Sequence, residues 1–257
     1  MKNTILSEKD ANLISQAIVK YGRILSIKEL MVIFLTEYTS NSAHNRINKL
    51  VYFGWLMRIK QGLYLIINNL SSREQNDISL MRIANALDSN SYVSLAYALN
   101  YYQLFDQYSK TIVSISKKIN KRYNFDDHLY KFSKIKKEMY FGFTEERDDG
   151  KIIKIAEAEK ALIDYLYLDN SFNSASLVFE KLRDNYQMLD LDKLQTYAAR
   201  AGTTVSRKIG FLLDSASLDS TKLYKSLKNK KGFNRFTSES RLFNAKWRIY
   251  YDDRIIG

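Results

Sequence analysis

Asn41, Asn45, Asn48, Lys49 and Tyr52 recur at a spacing that gathers them on one side of a helix, with Ser42 and Arg46 on its shoulders. At about 100° per residue, the opposite side carries Ala43, Ile47, Leu50 and Val51, an apolar stripe able to pack on a small domain. An asparagine side chain can pair bidentately with the N6 and N7 edge of adenine, while Lys and Arg meet guanine or phosphate. Shortly after come Arg58, Lys60 and Gln61. Arg58 and Lys60 alternate with Met57, Ile59 and Leu63, so the two cations share one face of a strand. No acidic residue lies between Glu37 and Glu74, whereas Arg46, Lys49, Arg58, Lys60 and Arg73 all do. Such a stretch suits the phosphate backbone of DNA.

The elements needed to position these side chains are legible around them. Ser26-Ile-Lys-Glu29 is a capping box that opens a short helix running through Phe34. A turn through Glu37 to Ser40 leads to the helix Asn41–Phe53, which Gly54 ends. The runs Trp55–Lys60 and Leu63–Ile67 read as strands joined at Gln61-Gly62, a hairpin-sized connection. Together these predict a winged helix-turn-helix whose second helix enters the major groove of DNA. Taken alone, the polar helix face is equally a solvated surface, and Lys60 equally guards an edge strand; the combination favours DNA.

A second basic cluster comprises Lys222, Lys225, Lys228, Lys230, Lys231 and Arg235, with no acid between Asp219 and Glu239. Two readings stand side by side. One is a solvated helix end whose cations offset the helix dipole; the other is a surface for nucleic acid, or for an acidic or RNA-bound partner. Enzymatic signals are thin. His44 and His128 fit no metal-ligand spacing. Asp126-Asp127-His128 reads as a polar connection, and Asp149-Gly150-Lys151 as a turn between strands. With no phosphate-cradling glycine loop and no nucleophile elbow, the expectation is a protein that is not an enzyme and needs no cofactor or metal.

At 257 residues the chain can bury a sizeable core, most naturally in two domains. Its 46% hydrophobic and 26% charged residues are those of an ordinary globular protein. No apolar run reaches the roughly 20 residues that span a bilayer, so no membrane association is expected. The absence of cysteine rules out disulfides, zinc–thiolate sites and cysteine nucleophiles, and fits the cytoplasm. Net charge is +12, unevenly spread: +5 over residues 1–75, zero over 76–170 and +7 over 171–257.

Residues 8–20 predict a first helix with Ala11, Ile14, Ile18 and Val19 on its apolar side. The polar stretch Asn68–Asp77 predicts a linker between a DNA-binding domain (1–70) and a second domain (76–257). In that domain, helices are expected over 78–87 and 94–104 and strands over 111–116, 129–136, 139–143 and 152–156. Five helices between 156 and 228 and a last strand, 246–251, follow. The predicted fold class is α+β: a winged helix, then a short antiparallel sheet (about 76–170) with a mainly helical part (about 171–257).

Four segments carry a family resemblance. They are Gly54–Tyr64 with its Gly62-Leu-Tyr64 wing, Ser91–Leu104, the strand-to-helix junction Ile155–Tyr167, and Arg207–Leu213. In this order they resemble the AbiEi family, antitoxins of the AbiE toxin–antitoxin systems associated with abortive phage infection. At Tyr102-Gln103 the chain departs from the His-Gly pair expected there. The resemblance implies a transcriptional autorepressor that binds inverted repeats in its own promoter, two copies to a site. It also implies that the C-terminal domain counteracts a nucleotidyltransferase-like toxin. Two other classes remain: a winged-helix regulator whose second domain binds a small ligand, marked by an apolar pocket, and a nucleic-acid enzyme, marked by clustered carboxylates.

Overall fold

A computed structural model describes residues 6–67, 78–107, 109–148, 151–227 and 231–257. The fold is α+β and divides into two compact units, Met1–Ser89 and Asn90–Gly257. Asn68–Asp77 and Asp149-Gly150, read above as a linker and a turn, lie outside the described residues.

In the first unit the order is α1 (Glu8–Tyr21), β1 (Ile24–Ser26), α2 (Ile27–Phe34), α3 (Ser40–Tyr52), β2 (Leu56–Lys60), β3 (Leu63–Ile66) and α4 (Leu80–Leu87). Ser26 caps α2 as expected: its hydroxyl accepts from Glu29 N, and the Glu29 carboxylate accepts from Ser26 N at 2.7 Å. The three strands form an antiparallel sheet in the order β1-β3-β2. Leu13, Ala17, Leu25, Leu30, Phe34, Ala43, Ile47, Leu50 and Leu56 close the core beneath it.

Three expectations change here. The buried side of α1 is Asp10, Leu13, Ile14 and Ala17, and Val19 is 88% exposed. Val19 lies two positions past Ala17, about 200° around the helix, so it cannot share that face. Strand β1 was not foreseen; its three residues bond to β3, 41 positions away in sequence at the Ile24–Leu65 pair. Helix α4, assigned from sequence to the second domain, belongs to the first, where it packs against β2.

The second unit is built on a six-stranded sheet in the order β6-β7-β5-β4-β9-β8. Its strands are β4 (Ser91–Val93), β5 (Thr111–Ser116), β6 (Lys121–Phe125), β7 (His128–Lys134), β8 (Phe143–Asp148) and β9 (Lys151–Ala156). The sheet is mixed and not simply antiparallel, since β5 pairs with β7 and β4 with β9 in parallel. The strand expected over 139–143 is absent. Gly142 there takes φ +70°, and a Cβ on it would meet Tyr197 at 2.9 Å and Lys160 at 3.1 Å, so close approach bends the chain before β8 begins.

Helices α5 (Leu95–Tyr101) and α6 (Ala158–Leu168) pack on this sheet. Around α6 gather α7 (Phe172–Asn185), α8 (Leu191–Ala201) and α9 (Thr203–Ser215), and α10 (Thr221–Leu227) packs on α8 and α9. A second small sheet, β10 (Asn234–Arg235), β12 (Ile249–Tyr251) and β11 (Leu242–Asn244), closes the unit. The buried ring of Trp247, between β11 and β12, lies directly on Gly210 of α9, where a Cβ would come within 2.1 Å of it. Gly210→Ala should therefore cost about 1–3 kcal/mol through overpacking, read as a lower urea midpoint of the full chain. A midpoint equal to wild type would mean that the ring is not held there.

Candidate nucleic-acid interface

The apolar residues Ala43, Ile47 and Leu50 hold α3 down, so its other side is turned outward. Asn41, Ser42, Asn45, Asn48 and Lys49 are all exposed, as are His44 and Tyr52. They form one continuous face that carries three amides, an aliphatic and a phenolic hydroxyl, an ammonium and an imidazole. No acid lies in the first turn of α3, and its N-cap, Thr39, makes no side-chain cap hydrogen bond.

Arg46 has a different role from the one expected. Its guanidinium grips the buried carboxylate of Asp10 on α1: Nε donates to Oδ1 at 2.7 Å, and Nη2 donates to Oδ2. Nη2 also reaches Ser7 Oγ at 3.2 Å, while Tyr38 Oη donates to Asp10 Oδ1 at 3.4 Å. This cluster bolts α1 to the outward helix. The bidentate pair matches the fork of arginine, and Arg46 serves to aim the face and not to extend it. Ser7-x-x-Asp10 is the sequence signal that could have found Asp10, since Ser7 caps α1 by accepting from Asp10 N at 3.2 Å.

The hairpin also departs from its expected form. A register shift between Arg58 and Lys60 breaks the simple alternation and buries Ile59. Arg58 stays exposed, with its guanidinium 5.7 Å from the Tyr64 ring and Nη2 donating to Tyr64 Oη at 3.2 Å. Lys60 is half-buried, and its ammonium donates to the Leu87 carbonyl at 2.7 Å. That carbonyl is one of those left open at the C-terminus of α4, so Lys60 anchors α4 instead of projecting as a wing contact. Gln61 is exposed beside Gly62, which takes φ +75° at the hairpin tip.

The basic cluster of the second unit is partly placed. Lys222 and Lys225 are exposed on α10, and Lys222 lies 3.6 Å from Asp192. Lys231 is exposed; Arg235, on β10, stacks over the Tyr250 ring at 3.9 Å. Lys228 and Lys230 lie outside the described residues.

Sequence reasoning missed a buried polar cluster at the centre of this unit. Asp164 accepts hydrogen bonds from Lys160, from Tyr92 Oη at 3.1 Å and from Ser94 Oγ at 2.8 Å. Lys160 also lies 4.8 Å from the Phe141 ring, and Arg200 covers that ring at 3.9 Å. Burial pushes the Asp164 carboxyl up and the Lys160 ammonium down; burial and the adjacent carboxylate push Tyr92 well up. Lysine and aspartate four residues apart in an apolar helix were the available signal. The cluster joins two of the family-like segments, Ser91–Leu104 and Ile155–Tyr167. In a third, burial lowers Lys208 to about 8 while its ammonium donates to Asn170 Oδ1 at 2.7 Å.

No family model matches the chain, and no curated protein matches it. Its fold is similar to the crystal structure of the RV2827C protein from Mycobacterium tuberculosis. The TM-score is 0.66 at 12% identity, over 99% of this chain and 95% of that one. At that identity the likeness is one of fold alone. Among the described residues, no helix is long and apolar enough to cross a membrane. Nor does any group of three or more His, Asp or Glu residues there form a set able to hold a metal ion.

Proposed function

We propose that this protein is a DNA-binding autorepressor of the antitoxin type, with its first unit acting as a winged helix-turn-helix. The observation that carries the reading is the outward face of α3. It is exposed from Asn41 to Lys49, free of acidic residues and aimed by the Arg46–Asp10 bolt. A helix of this kind, preceded by a capped helix and followed by a short hairpin, fits the major groove. Asn41, Ser42, Asn45 and Asn48 read base edges; Lys49 and, on the hairpin, Arg58 and Gln61 meet the backbone. Two copies sit on an inverted repeat. The second unit, by its resemblance to the AbiEi family, counteracts a nucleotidyltransferase-like toxin, and the protein performs no catalysis of its own.

A gel-shift titration of promoter duplex against scrambled duplex tests the repressor reading. Asn45→Ala should lose about 1–3 kcal/mol of discrimination between the two, roughly tenfold to a hundredfold in relative affinity. Lys49→Ala should weaken both duplexes alike and reduce the salt slope by about one. Equal affinity of the wild-type chain for both duplexes would end the reading. Growth of cells co-expressing the toxin tests the antitoxin part: Asn45→Ala should still protect while failing to repress.

A further inference from the structure

The small C-terminal sheet presents a face that the DNA-binding reading leaves unused. Phe243 on β11, Tyr250 on β12 and Arg235 on β10 are direct cross-strand partners, so their side chains share one face. Phe233, two residues before Arg235, joins them. Its ring lies 5.4 Å from that of Tyr250, and the Phe243 ring 4.9 Å away on the same tyrosine. The opposite face is the one that packs inward, through buried Ile249 and through Tyr251 at 4.5 Å from the Phe211 ring of α9. The outward aromatics are not residual core. Phe233 is 59% and Phe243 49% exposed.

Among the described residues, Lys231, Arg235, Arg241 and Arg248 are exposed cations in the segments that form or flank these strands. Arg207, Tyr224, Lys246, Trp247 and Arg248 line a cleft of about 120 Å³, in which Lys246 is paired with Asp214 at 2.6 Å. Arg207 is buried and donates to Asn234 Oδ1 at 2.8 Å and to the Lys231 carbonyl at 3.1 Å, which fixes the segment that carries Phe233. Arg248 is exposed and held at φ +51°, a left-handed conformation that favours glycine or asparagine. Burial and the nearby Arg248 charge both lower the pKa of Arg207, which fits two guanidinium groups sharing one cleft. An exposed cation held at the cost of backbone strain fits an anionic occupant better than packing alone.

We propose that this face binds single-stranded nucleic acid, with bases stacking on Phe243 and Phe233 and phosphates drawn to the exposed Arg235 and Arg248. Exposed flat rings beside cations are what an unpaired strand recognises, because each base has a face to stack and each nucleotide a charge. Duplex DNA buries its base faces and leaves such rings unused. The surface is separate from α3 in chain and chemistry, so it stands whether or not α3 reads a promoter.

The test is fluorescence anisotropy of the full chain with labelled twelve-nucleotide uridine and adenosine RNA strands, and with a twelve-base-pair DNA duplex. Wild type should bind the single strands in a salt-dependent manner. Phe233→Leu with Phe243→Leu keeps apolar bulk but removes the rings, and should weaken single-strand binding at least tenfold. Arg248→Glu should do the same, and Asn45→Ala should leave single-strand affinity unchanged. A leucine double variant that melts like wild type and still binds the strands equally well would overturn the proposal, as would no binding by wild type at low salt. So would sedimentation showing that the phenylalanine changes turn a dimer into a monomer while RNA affinity stays constant, since the face would then join two copies of this chain.

Discussion

Asp164→Ala is expected to destabilise the second unit by about 3–5 kcal/mol, the loss typical when one partner of a buried ion pair is removed. Lys160 and Asp164 are both essentially inaccessible to solvent, and Asp164 also satisfies Tyr92 and Ser94. Without the carboxylate, the Lys160 ammonium stays buried between the Phe141 and Tyr92 rings, with two hydroxyls also deprived of their acceptor. Replacing both partners together, with Lys160→Met and Asp164→Leu, removes the uncompensated charge and should recover much of the loss. Urea unfolding followed by far-UV circular dichroism measures each variant. A double variant as unstable as the single one would show that packing, not the unpaired charge, sets the cost.

Arg46→Ala should cost about 3 kcal/mol, at the lower end for such pairs because the Arg46 side chain is 31% exposed while Asp10 is fully enclosed. Arg46→Lys should recover little, since an ammonium cannot reproduce the two-point grip on the carboxylate. The expected signature is loss of stability in the first unit, with duplex affinity falling in step with it. The opposite result, full stability with lost affinity, would return Arg46 to the face proposed to contact DNA.

Local chemistry made several elements readable. The Ser26–Glu29 box and the apolar stripe of α3 each lie within a few residues, and the structure carries them at the expected positions. The hairpin β2–β3 likewise follows from two alternating runs around Gln61-Gly62. Strand β6 was missed because Lys121–Phe125 is a polar edge strand, and the left-handed Asp126-Asp127 turn beside it reads simply as a loop. Lys60 looked like a wing cation, and nothing near it in sequence reveals Leu87 as its acceptor.

The sequence by itself determined what is encoded at short range: which helices form, where they are capped, and that residues 38–73 carry no acid. It also determined the outward side of α3, because a stripe of four apolar residues leaves only one face for solvent. Tertiary structure alone decided the partners of Arg46 and Lys60, the enclosure of the Lys160–Asp164 pair with Tyr92 and Ser94, and the mixed order of the large sheet. The physical reason is that a cation has the same appearance in sequence whether it faces water, a phosphate or a buried carboxylate. Only the residues brought to it from 27, 36 or 72 positions away, as Leu87 is to Lys60, Asp10 to Arg46 and Tyr92 to Asp164, set its role.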